Sequence, residues 1–140
     1  MTKFLHTLGF VLAAATLSAP LAAAAKPRLT GEEQLAKALE GRVAGKPVNC
    51  INPAFYSSTR VYDKTAIVYD AGRTLYVQRP RNGAESLDQN VVLVTNIRGS
   101  QLCNVDIVRL LDRANFFFRG YVGLGEFVPY TRPAKVALLD

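Results

Sequence analysis

The sequence predicts a mainly β domain, built as a small antiparallel sheet or a partly closed barrel, with one N-terminal α-helix packed on it. Three observations support this fold class. From residue 60 onward, successive segments are rich in Val, Ile, Thr and Tyr, which fit a pleated surface. Gly, Asp and Asn turn signals separate these segments at short intervals. Only the segment at 30–42 has the three- and four-residue spacing of apolar side chains that indicates a helix.

Residues 1–25 have the pattern of a secretory signal peptide. Lys3 gives a basic start, Leu8–Leu17 is an almost uninterrupted apolar run, and the small residues end at Ala25. The run is shorter than the about 20 residues that a membrane-spanning helix needs. No cysteine lies beside the expected cleavage point, so a lipid anchor is not expected. The sequence therefore predicts export to a bacterial periplasm and a single domain over residues 26–140, without a membrane span.

Removal of this segment would leave a basic domain without histidine. The 17 basic residues less Lys3 leave 16, against 11 acidic residues, for a net charge of +5. The one histidine, His6, also lies in the signal segment, which excludes Ser-His-Asp and Cys-His catalysis and histidine-based zinc sites in the mature domain. The two cysteines stand 53 positions apart, which excludes a CxxC redox motif. No cofactor and no metal site is predicted.

The helix at about 30–42 is the first predicted element of the mature domain. Thr30 and Glu33 have the spacing of a capping box, and acidic side chains in the first turn suit the positive end of the helix dipole. Leu35 and Leu39 lie on its apolar stripe, and a glycine near its end is a stop signal. Its polar face mixes acidic and basic side chains. We therefore interpret it as a helix that packs on the sheet and not as a membrane-surface helix.

The predicted strands follow in order at 60–62, 65–70, 74–79, 91–96 and 127–130. A turn signal at 70–73 predicts a hairpin between the second and third. The strand at 91–96 is expected to pair antiparallel with the segment that follows it. Pro129 cannot donate to a sheet ladder, which assigns the last strand to an edge. Three consecutive phenylalanines at 116–118 cannot all face one side of a strand, so at least one is expected in a second cluster or near the surface.

The segment Gly99–Asp112 is predicted to be the central strand. Residues of both its faces include branched apolar side chains, so we expect both faces to be largely covered. It carries Cys103, and the other cysteine, Cys50, follows the helix. Export to an oxidising compartment makes pairing the default for two cysteines, so the sequence predicts a Cys50–Cys103 disulfide.

Arginines are the first candidates for a binding function. Eleven of the sixteen mature basic residues are arginine, which favours bidentate contact with phosphate and carboxylate groups. The possible anion-binding residues are Arg79, Arg81, Arg98, Arg109 and Arg113. The partner would be an envelope protein or an anionic envelope component, such as a lipopolysaccharide phosphate, a phospholipid or a wall polymer. Scattered solvated charge is the alternative interpretation. Nucleic acid is not expected for an exported chain.

Carboxylates provide the alternative function, a small hydrolase. Asp106, Asp112 and Glu126 lie in the most apolar third of the chain, where burial could raise a carboxyl pKa as a glycosidase acid requires. Carboxylates that accept hydrogen bonds from turn amides or pair with arginine are commoner. We therefore assign no catalytic residue and favour a non-catalytic binding module. A pocket holding two of these carboxylates about 5 to 10 Å apart would favour the enzyme.

Four segments together resemble a family of small exported bacterial proteins of unknown function. They are Cys-Ile at 50–51 after a helix, TLYV at 74–77, LCxxDxVRLLD at 102–112 and LGEFVPYTR at 124–132. The resemblance extends over about 45–132. It implies the same export and the same fold, and it implies no activity.

Overall fold

A computed structural model describes residues 27–97 and 99–134 of the chain. The predicted signal segment and Arg98 lie outside the described residues. The elements are α1 (Gly31–Ala38), β1 (Val43–Ala44), β2 (Cys50–Ile51), β3 (Ser58–Tyr62), β4 (Ala66–Ala71), β5 (Thr74–Gln78), β6 (Val91–Thr95), β7 (Leu102–Cys103), β8 (Ile107–Asp112), β9 (Phe118–Gly123) and β10 (Phe127–Thr131). Short 3-10 helices span Pro53–Phe55 and Ala84–Ser86.

The described strands form three antiparallel sheets. One has five strands in the order β1-β10-β5-β4-β3, a second has three in the order β6-β8-β9, and the third pairs β2 with β7. The predicted hairpin is present as β4–β5, where the Asp70 carboxylate accepts a hydrogen bond from the Gly72 amide. The mainly β fold with one helix is confirmed. Within the described ranges the sheets are open, and the barrel alternative is not adopted.

Helix α1 begins as predicted and ends earlier. The Thr30 hydroxyl accepts a hydrogen bond from the Glu33 amide, and the Glu33 carboxylate accepts one from the Thr30 amide, which completes the capping box. The helix stops at Ala38 and does not continue to residue 42. Gly41 has a φ of 71°, which is incompatible with a helix, and the Arg42 guanidinium donates to the Arg73 carbonyl in the β4–β5 turn and to the Tyr130 carbonyl of β10.

The predicted central strand is two strands. A turn separates β7 from β8, because the Asp106 carboxylate accepts a hydrogen bond from the Cys103 amide and the Asp106 amide donates to the Cys103 carbonyl. Cys103 lies directly opposite Cys50 in the β2–β7 pair, with 4.0 Å between their Cα atoms, and the predicted disulfide is confirmed. The strand at 91–96 pairs antiparallel with the predicted segment as expected, through its second half, β8. In this sheet β8 is central and β6 is an edge.

The position predicted for the last strand was wrong. Strand β10 lies between β1 and β5, although Pro129 stands in its middle. Its other neighbour, β1, is only two residues long and ends at Ala44, while Gly45 donates its amide to the Pro129 carbonyl. Pro129 therefore lies just beyond the end of the β1 ladder, where the amide that it lacks is not needed by a paired residue.

Strand β4 is buried on both faces. Ile67 and Tyr69 belong to the larger apolar cluster, which includes side chains of β8, β9 and β10. Ala66 and Val68 point the other way, into the cluster that Leu35 of α1 covers. The helix therefore closes one face of the five-stranded sheet, and the three-stranded sheet packs over the other.

Strand β8 is buried on one face only, so the expectation that its sheet would be covered on both sides was wrong. Val108 and Leu110 point into the core and are fully buried. Ile107 and Arg109 point outward and are exposed. No element of the described chain covers this outer face, because α1 lies over the other sheet.

Candidate binding cleft

A cleft lies between the five-stranded and three-stranded sheets. It has a volume of about 550 Å³, within the range of small-molecule and peptide sites. Its walls are Thr59, Arg60, Val61 and Tyr62 of β3 and Val91, Val92, Leu93 and Thr95 of β6, with Gln34, Tyr56, Tyr69, Gln89 and Arg113 completing it.

Two strand edges border the cleft. Among the described strands, β3 pairs only with β4 and β6 only with β8, so each has one edge without a partner strand. Four consecutive β3 residues line the cleft, whereas side chains of a single strand face alternate. The cleft therefore runs along the edge of β3 itself. At one end, the Gln89 side-chain amide donates to the Gln34 amide oxygen, with 3.0 Å between the atoms, and ties α1 to the loop before β6.

Tyrosine rings form the deepest wall of the cleft. Tyr56 and Tyr69 meet edge to face, with 4.9 Å between the ring centroids, and Tyr69 packs in the same way on Phe127. The Tyr69 hydroxyl is buried and has no hydrogen-bond partner among the described residues. Burial raises the pKa of Tyr69, and the neighbouring Tyr56 raises it further. The hydroxyl therefore stays protonated and has an unused donor.

The charge in the cleft has a single sign. Arg60 and Arg113 line it, and no carboxylate does. The Arg113 guanidinium donates to the Val91 carbonyl at 3.2 Å through one Nη, which fixes its position and leaves its other donors available. Arg60 is exposed on β3 and makes no side-chain hydrogen bond or ion pair within the described residues. The arrangement suits an anionic ligand.

The arginines predicted from the sequence are dispersed. Arg79 forms a two-point ion pair with Glu32 of α1, at 2.7 and 2.8 Å. Arg81 donates to the carbonyls of Leu124 and Asn104 and holds two loops together. Arg109 lies on the outer face of β8, and only Arg113 lines the cleft. Arg60 was missed, because its place in the cleft depends on sheet order and no local sequence pattern indicates that.

The three carboxylates predicted as alternative catalytic groups do not line the cleft. Asp106 accepts the Cys103 amide and holds the turn between β7 and β8. A hydrogen bond from the Ala114 amide and the nearby Arg119 lower the pKa of Asp112, which is the opposite of what a general acid requires. Glu126 is exposed. The described residues also contain no cluster of three or more side chains placed to hold a metal ion.

No family model, curated protein or solved structure matches the chain. In the part of the chain that the structure describes, no helix is both long and apolar enough to cross a membrane.

Proposed function

We propose that the chain is an exported, non-catalytic module of the bacterial envelope that binds an anionic partner in the cleft between β3 and β6. The observation that carries this proposal is the one-signed lining of the cleft, with two arginines and no carboxylate. Each guanidinium can bind a carboxylate or a phosphate through two parallel hydrogen bonds. The buried Tyr69 hydroxyl has no protein partner and adds a donor in the wall of the cleft.

The partner that uses the whole cleft is an extended acidic segment of an envelope protein. An edge strand presents backbone amides and carbonyls that can pair with an added chain. Strands β3 and β6 present two such edges to the same space. A peptide in this cleft would add main-chain hydrogen bonds to the arginine contacts. A glycan phosphate would use the arginines and leave the edges unpaired.

The compartment of this proposal rests on the disulfide and on the predicted signal segment. Two cysteines that pair as Cys50–Cys103 suit an oxidising compartment. The apolar run and small residues of 1–25 supply the export signal. The resemblance to small exported bacterial proteins supports the same compartment.

Titration calorimetry with a synthetic glutamate-rich peptide, and separately with lipopolysaccharide, tests the cleft. Arg60→Gln and Arg113→Gln should each weaken peptide binding about tenfold, because a hydrogen bond to a charged group contributes roughly 1.5 to 3 kcal/mol. Arg73→Gln is the matched control, since Arg73 is exposed at the β4–β5 turn and does not line the cleft. Raising the salt concentration should weaken binding.

Tyr69→Phe separates binding from folding. It removes a hydroxyl that makes no hydrogen bond within the described residues, so the melting temperature should not fall, while ligand affinity should. Equal losses in the Arg73 control, or no binding of either probe, would overturn the cleft proposal. Binding of lipopolysaccharide without binding of the peptide would overturn the peptide as partner.

A further inference from the structure

The β8–β9 hairpin presents three consecutive phenylalanines to solvent. Phe116, Phe117 and Phe118 are 64%, 71% and 55% exposed. Single exposed apolar residues are common, but a contiguous aromatic group of this size marks an interaction surface. The hairpin tip lies outside both apolar clusters of the core. Packing within the described fold therefore does not account for these side chains.

The backbone of this tip makes its hydrogen bonds internally. Arg113 donates its amide to the Asn90 carbonyl, Ala114 and Asn115 donate to the Asp112 carboxylate, Phe116 donates to the Asp112 carbonyl and Phe117 donates to the Asn115 side chain. Five successive amides thus have protein acceptors, although the tip is exposed and water could serve them. These N–H groups would therefore keep their hydrogen bonds in the interfacial layer, where lipid chains offer no acceptors.

The conformation of the tip keeps the rings outward. Phe116 has a φ of 59°, in the left-handed region that a bulky side chain rarely adopts. The Asp112 and Asn115 side chains hold this turn in place through the bonds to the following amides. Strain of this kind persists where the surrounding structure enforces it, and it concentrates at functional sites. The tip is therefore a rigid, pre-formed apolar wedge.

The outer face of the three-stranded sheet continues the apolar surface from the tip. Cross-strand pairing places Leu111 opposite Phe118 and Arg109 opposite Tyr121 on this face. The Phe118 and Tyr121 rings lie 4.7 Å apart, and Ile107 is 61% exposed on the same side. The face is thus an apolar platform with one arginine at its centre.

The local charges favour an anionic surface over a second copy of the chain. Arg119 pairs with Asp112 at 3.2 Å and with Asp88 at 3.9 Å, so its single positive charge offsets one of these two negative charges. Arg109 has no hydrogen bond or ion pair within the described residues and leaves the platform positive. A twofold dimer centred on this platform would place Arg109 against its own copy, which is unfavourable.

We propose that the phenylalanine tip at 116–118 inserts into the interfacial layer of an anionic lipid bilayer, with Arg109 facing lipid phosphates. The net charge of +5 on residues 26–140 adds attraction to such a surface. Binding would be peripheral and would not involve a spanning segment. It would hold the β3–β6 cleft, a separate site, close to the membrane.

Sedimentation with vesicles of phosphatidylglycerol and phosphatidylcholine tests this proposal on the protein purified after export. Phe116→Ser combined with Phe117→Ser should weaken binding to phosphatidylglycerol vesicles at least about tenfold, because each exposed ring loses its burial in lipid. Phe55→Ser is the matched control, since Phe55 is 74% exposed in a different part of the chain.

A fluorescence measurement locates the inserted residue. The chain contains no tryptophan, so Phe117→Trp introduces a single reporter. Its emission should shift to the blue with phosphatidylglycerol vesicles, and brominated lipids should quench it. Phe55→Trp should show neither effect.

Several outcomes would overturn the proposal. These are no vesicle binding, equal binding to phosphatidylcholine, or equal losses in the Phe55 control. Concentration-dependent self-association that the double serine variant abolishes would assign the tip to a second copy.

Discussion

Strands β4 and β8 are both central strands with branched apolar sequences, yet their surroundings differ. In β4, four consecutive residues from Ala66 to Tyr69 are buried, because α1 covers one face of the sheet and the second sheet covers the other. In β8, exposed and buried residues alternate from Ile107 to Leu110. Burial in the core explains why the four residues of β4 from Ala66 to Tyr69 are apolar. In β8, burial explains only Val108 and Leu110, which face the core.

This difference indicates where function should be sought. Apolar side chains that the fold covers are explained by stability, whereas exposed ones need another reason. The outer face of β8 and the adjoining phenylalanine tip belong to the second group. The cleft is lined by β3, which pairs with β4, and by β6, which pairs with β8. Both candidate surfaces therefore lie on parts of the sheets that no other described element covers.

Breaking the Cys50–Cys103 bond should have the largest effect, because this bond joins the segment after α1 to the strand before β8. The bridge closes a loop with a sequence separation of 53, for which chain-entropy arguments give about 4 kcal/mol as an upper value. The double serine variant should melt about 10 °C lower or more, and its melting should not respond to reductant.

Intact mass before and after reduction, measured on exported protein, checks the bond. It should also locate the N-terminus at Lys26. Two free thiols in the unreduced protein, or a retained signal segment, would contradict the proposed compartment.

Alanine at neighbouring positions of β8 sharpens the comparison between its faces. Leu110 is fully buried, so Leu110→Ala should lower the free energy of unfolding by about 3 kcal/mol through lost burial and a cavity. Ile107 is 61% exposed, so Ile107→Ala should change it by less than about 0.5 kcal/mol. Urea unfolding of both variants measures the difference. A large loss for Ile107→Ala would show that the outer face is covered and would count against the lipid-binding surface.

Much of the fold could be predicted from local signals. The Thr30–Glu33 capping box and the turn at Asp70–Gly72 depend on nearby residues, and the disulfide pairs the two cysteines of the chain. The errors arose where distant residues decide the result. Pro129 is tolerated between two strands because β1 ends beside it. The carboxylate of Asp106 splits a continuous apolar run into β7 and β8.

The candidate site was less predictable than the fold for the same reason. The sequence indicated an anionic partner through its arginine content, but it could not show that Arg79 and Arg81 hold the structure together. It could not place Arg60 and Arg113 on the same cleft, because only the arrangement of two sheets brings their segments there. The three phenylalanines were visible in the sequence. Their joint exposure depends on the left-handed turn at Phe116.

The smallest expected effect concerns how α1 is held over the five-stranded sheet. The Arg79–Glu32 pair joins them at 2.7 Å, but both side chains are more than half exposed, so Arg79→Gln should cost less than about 1 kcal/mol. The hydrogen bond from Arg79 lowers the pKa of Glu32 from its usual value of 4.5. A carboxyl pKa lowered in the folded state contributes stability above pH 4.5 that is lost as the pH falls through the folded value.

The difference between the wild type and Arg79→Gln should therefore be present at neutral pH, shrink below pH 4.5 and diminish in high salt. Urea unfolding across this pH range measures it, with Glu40→Gln as the control, because Glu40 is exposed and makes no ion pair within the described residues. A loss that is independent of pH would contradict the role of the Glu32 carboxylate. A loss of several kcal/mol that disappears at low pH would mean that charge holds the helix in place. If the loss is small and depends on pH, the burial of Leu35 holds the helix in place. The covered face of β4 then depends on a hydrophobic contact with α1, and the outer face of β8 has no such contact.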